Sequence, residues 1–188
     1  MDDLIIVDCQ NDFIDGTLAC AHGREAAEKL VHFMNTHEVH ACYSADWHRE
    51  TNRSFKDNGG GWPVHCVQGT QGAALSSAFA QNLEKEENKP GKKNIFYKGT
   101  DDEVEEYSAF FGENEEGCVL GESVSPHVYA GGIALEYCVR ETVLALLARG
   151  IRVTLLTDCV GYVNQADCAG VLEELRKKGA VLLDSAQV

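Results

Sequence analysis

A thiol, an ammonium and a carboxylate held together can attack an amide carbonyl, and this 188-residue chain carries Cys138, Lys98 and Asp8 at or just past the ends of apolar, strand-like runs. A free thiol is mostly protonated at neutral pH. A lysine ammonium and a helix N-terminus both favour the thiolate, and a neighbouring carboxylate can accept and return the proton. Cys138 falls in the first turn of a helix that should begin near Ala134, after an apolar strand at 128–130 and the turn Gly131-Gly132. Val139, Val143, Leu146 and Leu147, with a stop at Gly150, keep the 3.6-residue period of that helix. Its first N–H groups have no intrahelical partner, so the backbone of that first turn can hold an oxyanion. Each residue alone has an ordinary explanation: a small buried thiol, a surface lysine, a turn-capping aspartate. Their convergence at strand ends is the argument for chemistry.

A second constellation is Asp46-Trp47-His48 followed by Trp62-Pro63-Val64-His65. Asp46 and His48, two apart on an extended segment, project to the same side, and His65 from the following loop can complete one face of a metal. Three N/O ligands with open positions describe a catalytic rather than a structural metal site.

The elements that must position these groups alternate. Apolar runs at 4–7, 39–44, 94–97, 128–130, 153–156 and 181–183 read as strands, and 24–35, 134–149 and 167–178 read as helices. A short helix is expected within 73–83. Residues 49–72 lack periodicity, and an aperiodic loop of that length is usually functional. Residues 84–93 read as a solvated, charged connection, and 100–116 is acidic around Tyr107. Strands alternating with helices imply a parallel sheet covered on both faces, with ligands gathered at the carboxyl ends of its strands. The expectation is an α/β chain: a doubly wound, Rossmann-like three-layer sandwich with about six mostly parallel strands, forming one domain over 1–188.

Composition narrows the function classes. A formal charge of −14 argues against nucleic acid and anionic membrane surfaces. No apolar run approaches the ~20 residues of a membrane span, and the Met-Asp-Asp start lacks the basic region of a signal peptide. Eight scattered cysteines without a C-x-x-C pair read as buried, reduced thiols of a cytoplasmic protein.

Several motifs carry a resemblance: Val7-Asp8-Cys9-Gln10-Asn11-Asp12-Phe13, Asp46-Trp47-His48 with Ser54-Phe55, Trp62-Pro63-Val64-His65-Cys66-Val67-Gln68-Gly69-Thr70, Tyr97-Lys98-Gly99, Tyr107-Ser108-Ala109-Phe110, and Gly132-Ile133-Ala134 through Cys138-Val139. In this order, over nearly the whole chain, they resemble the nicotinamidases/pyrazinamidases of the isochorismatase-like cysteine hydrolase superfamily. The resemblance implies hydrolysis of nicotinamide to nicotinate and ammonia in NAD salvage, with pyrazinamide also accepted. It implies Asp8, Lys98 and Cys138 as catalytic triad, an oxyanion hole at Ala134 and Cys138 behind a cis peptide at Ala134, and Asp46, His48 and His65 as metal ligands. The metal would be Zn2+, with Fe2+ or Mn2+ as alternatives, and would orient the pyridine ring, directly or through its water. Phe13, Trp62 and Tyr107 would pack around that ring. Relatives of this kind often form homo-oligomers.

The chain departs from the pattern at Arg49, where relatives carry proline, and at Asn52, where many carry a second histidine that can be a fourth ligand. The site therefore has three protein ligands plus water, or borrows Glu50, Asn52 or Asp57. Two rival readings remain: the same triad acting on another small amide or carbamoyl compound, and a non-catalytic binding or redox-sensing protein that uses its thiols.

Overall fold

The computed structural model describes residues 1–188. In chain order its principal elements are β1 (Asp2–Val7), the single turn α1 (Asn11–Ile14), α2 (Gly23–Thr36), β2 (Val39–Asp46), the short α3 (Ser77–Gln81), β3 (Ile95–Lys98), the short α4 (Leu120–Ser123), β4 (His127–Gly132), a π-helical turn (Leu135–Val139) running into α5 (Arg140–Ala148), β5 (Arg152–Val160), α6 (Gln165–Lys177) and β6 (Val181–Leu183).

β1 lies in the middle because its side chains are apolar on both faces. Leu4 and Ile6 pack with Leu30 and Met34 of α2, whereas Ile5 and Val7 pack with Val139, Val143 and Leu146 on the opposite side. All four are fully buried, each worth roughly 1.5–3 kcal/mol of transfer free energy, and alternation along the strand sends successive side chains to opposite layers. The sheet order is β3-β2-β1-β4-β5-β6. Every pairing is parallel, so the expected mostly parallel sheet is parallel throughout. The order reverses between β1 and β4, which places the open crevice of the sheet beyond the carboxyl ends of these two strands.

Three local expectations are corrected. β5 continues to Val160 instead of stopping at Leu156, with Val160 aligned to Gly132. Its polar residues are satisfied there: Thr157 Oγ1 donates to Leu183 O, and the Asp158 carboxylate accepts from Lys29 Nζ and from Ser185. The charged 84–93 segment is not wholly solvated. Asn88 is buried, with Oδ1 accepting from Ala41 N and Nδ2 donating to Val39 O. All eight cysteines are free thiols, but Cys118 is exposed, so they are not uniformly buried. No helix is long and apolar enough to cross a membrane.

Candidate active site and metal centre

Sheet register brings the charged residues together. Asp46 and Lys98, the last residues of β2 and β3, are aligned partners. Just past β1, Asp8 turns out of the strand with φ 46°. Its Oδ1 accepts from Ser44 Oγ at 2.6 Å, and its Oδ2 lies 2.9 Å from Lys98 Nζ. The Lys98 ammonium also donates to Asp46 Oδ1 and reaches Cys138 Sγ at 3.4 Å. Asp8 and the Lys98 side chain are completely buried, and Cys138 is nearly so. The sequence-expected trio is therefore assembled around one ammonium.

Cys138 belongs to the π-helical turn Leu135–Val139. Val139 N and Tyr137 N both donate to Ala134 O, while Ala134 N has no acceptor in the protein. The Ile133–Ala134 peptide is cis, as the resemblance implied. Gly132, at φ 128°, has no room for a side chain: a Cβ there would lie 2.1 Å from Val7 O.

The electrostatics of the trio pull in opposite directions. Burial pushes the Cys138 thiol well above the usual cysteine range; the Lys98 ammonium opposes this, but Asp8 and Asp46 add to it. Burial likewise raises Asp8, partly offset by Lys98 and by the Ser44 hydrogen bond. Although burial works against both, Asp46 is held low by Lys98 and His48, and Lys98 is held well above its ordinary value by Asp46, Asp8 and Cys138. Burial and the two carboxylates thus oppose the thiolate that Lys98 favours.

On the far side of Asp46, its Oδ2 faces His48 Nε2 at 3.5 Å and His65 Nε2 at 4.0 Å. Each imidazole donates through Nδ1 to a backbone carbonyl: His48 to Gly99 O at 2.8 Å, His65 to Pro63 O at 2.7 Å. Those bonds assign the tautomers and leave both Nε2 lone pairs aimed at the same space as the carboxylate. The three donor atoms lie within 4.8 Å of one another. One carboxylate and two oriented neutral imidazoles fit a divalent cation with open positions. The Phe55 ring stands edge-on to both imidazoles, at centroid distances of 5.5 and 5.3 Å.

The aperiodic loop 49–72 delivers His65 because it is tied down at several points. His48 N donates to Cys66 O, Gln68 N to His48 O, and Cys66 N to Asp12 Oδ2. Asn52 is a brace of this loop: its Oδ1 accepts from Ser54 N at 2.9 Å. Glu50 and Asp57 are exposed and lie outside the donor cluster. Of the options left open by the missing second histidine, the geometry presents the three-donor set.

Comparison with known proteins settles the family, since residues 3–187 match the isochorismatase domain. The chain belongs to the isochorismatase family. It is 31% identical to the nicotinamidase/pyrazinamidase of Mycobacterium tuberculosis, over 97% of this chain and 98% of that protein. Among solved structures, it superposes with a TM-score of 0.81 on the pyrazinamidase of Pyrococcus horikoshii in complex with zinc (33% identity, 97% of this chain and 98% of the other). The TM-score is 0.85 for PnC1 from L. infantum in complex with nicotinate (30% identity, 99% and 93%).

In this isochorismatase domain a single cavity joins the two constellations. Cys138 and Ala134 line it with Asp46, His48 and His65, and so do Phe13, Trp62 and Tyr107, the three aromatics expected from the sequence. Four contributors carried no assigned role in the sequence reading. Tyr137 stands in the wall with its ring 5.1 Å from that of Trp62, and its only signal was adjacency to Cys138. Ser54 brings a buried hydroxyl without a partner to the lining. Gln10 holds the Asp46 backbone from both sides, its Oε1 accepting from Asp46 N and its Nε2 donating to Asp46 O, both at 2.8 Å. Glu105 reaches the rim from the acidic segment. Nothing in residue spacing pointed to the last three.

Proposed function

We propose that this chain is a single-domain, cytoplasmic nicotinamidase that converts nicotinamide and water to nicotinate and ammonia and also accepts pyrazinamide. The observation that carries the reading is the Lys98 ammonium between Asp8 and Cys138, with Cys138 lining the same cavity as the converging Asp46, His48 and His65 donors. A planar aromatic amide fits between Phe13, Trp62 and Tyr107, with its carboxamide toward the sulfur and its ring nitrogen toward the imidazoles.

Asp8 takes the Cys138 proton as Sγ attacks the carbonyl carbon, and the resulting oxyanion is held by the Ala134 and Cys138 N–H groups. The C–N bond breaks as Asp8 returns the proton to the leaving nitrogen, releasing ammonia and leaving a thioester. Water then gives a proton to Asp8, its hydroxide adds to the thioester carbonyl, and the sulfur leaves and recovers the proton. Lys98 holds Asp8 in place and balances the charge of the two carboxylates throughout. Asp46, His48 and His65 would hold a divalent metal, zinc in this reading, which would supply a Lewis-acidic anchor for the pyridine ring. The test is ammonia release from nicotinamide with and without a chelator and in Cys138→Ala. Activity lost in both arms is the expected result; activity insensitive to chelation would overturn the metal's role, and a fully active Cys138→Ala would overturn the triad.

A further inference from the structure

The cavity lining contains three carboxylates, Asp46, Glu105 and Glu106, and no lysine or arginine. Two of the three are committed. Asp46 answers Lys98 and the imidazoles, and Glu106 Oε2 accepts from Gly99 N at 2.9 Å. Glu105 differs. It is exposed at the rim, where its Oε1 accepts from Trp62 Nε1 at 3.0 Å and from Tyr107 OH. Trp62 Nε1 also approaches Tyr107 OH at 3.1 Å, and both rings stand against Tyr137, the neighbour of Cys138. One carboxylate therefore fixes two of the aromatic side chains that wall the cavity, and it forms no salt bridge with a lysine or arginine.

Resting on the nicotinamidase reading above, we propose that Glu105 is a specificity-determining residue: it braces the Trp62 and Tyr107 wall and filters ligands by charge. Neutral aromatic amides pass this rim. Anionic ligands are disfavoured, including amides that carry a carboxylate and the carboxylate product itself, which is repelled as it forms. A negative charge a few ångströms from a partly solvated ligand shifts binding several-fold, not by orders of magnitude.

Calorimetric titration of the Zn2+-loaded protein with nicotinamide and with nicotinate tests this, in a Cys138→Ala background so that neither ligand reacts. Glu105→Gln keeps an oxygen that accepts from Trp62 and removes the charge. It should tighten nicotinate by about three- to tenfold and leave nicotinamide within about twofold. Glu105→Ala removes the acceptor as well and should weaken both ligands relative to Glu105→Gln. A nicotinate-to-nicotinamide affinity ratio unchanged by Glu105→Gln overturns the charge filter, and Glu105→Ala behaving like Glu105→Gln overturns the brace. If neither ligand binds the Cys138→Ala protein, the nicotinamidase reading itself fails, an outcome distinct from an unchanged ratio.

Discussion

Asp46 and Lys98 form a buried ion pair that joins the two halves of the cavity: Asp46 Oδ1 accepts from the ammonium that touches Cys138, and Asp46 Oδ2 faces His48 and His65. The strand register that aligns these two residues makes the nucleophile's surroundings and the metal donors one electrostatic unit.

Removing the cation should therefore be felt as stability. Lys98→Met leaves the Asp8 and Asp46 carboxylates buried without a counter-charge, and breaking such a pair costs about 3–5 kcal/mol. Urea unfolding should show that loss, and adding Asp8→Asn to Lys98→Met should recover part of it. A double variant no more stable than Lys98→Met would argue against the shared-cation arrangement.

Asp8 should set the acid limb of activity. Burial holds its carboxyl above the ordinary aspartate value of about 3.9. The base form is lost as pH falls through that raised value, so kcat/KM should decline above the ordinary range. Asp8→Asn should lower kcat by roughly 10²–10⁴. The Ser44 hydrogen bond pulls Asp8 downward, so Ser44→Ala should move the acid limb to higher pH. A limb that stays in place, or moves lower, would show that another group is titrating.

Metal removal should lower thermal stability as well as activity. A ligand present at 1,000 times its Kd adds about 4 kcal/mol, which for a chain of this size corresponds to roughly 8–16 °C in Tm. Scanning calorimetry before and after chelation measures it. His65→Ala should abolish the zinc-dependent shift, since it removes one of the three donors.

Gly99 should be intolerant of any side chain. It sits at φ 65°, its carbonyl accepts from His48 Nδ1, and a Cβ would lie 2.4 Å from His48 Cε1. Gly99→Ala adds about 1–2 kcal/mol of left-handed backbone cost and displaces the imidazole. Zinc titration should show affinity lowered by about 10–100-fold, with the overall fold retained by circular dichroism.

Much of this protein was legible in its residues. Unbroken apolar runs such as Leu4-Ile5-Ile6-Val7 can be satisfied only by burial on both faces, which demands a parallel sheet between helix layers. The polar residues that end those runs must then lie along one edge of the sheet. Local spacing sufficed for Asp46 and His48, because two residues apart on a strand face the same way. It failed where polar side chains satisfy themselves by contacts remote in sequence, as in Thr157 and Asp158 prolonging β5 or Asn88 supporting β2.

The sequence by itself determined the layered α/β arrangement and the chemical types at the strand ends, since both follow from hydrophobic pattern and residue identity. Only the tertiary structure decided the direction in which those groups are tuned. Burial, which is a property of the whole packed molecule, raises both Cys138 and Asp8 against the pull of Lys98. It also decided that Gln10 holds the Asp46 backbone, and that Tyr137, Ser54 and Glu105 line the cavity. The Gln10–Asp46 contact joins residues 36 positions apart, and no local pattern encodes it.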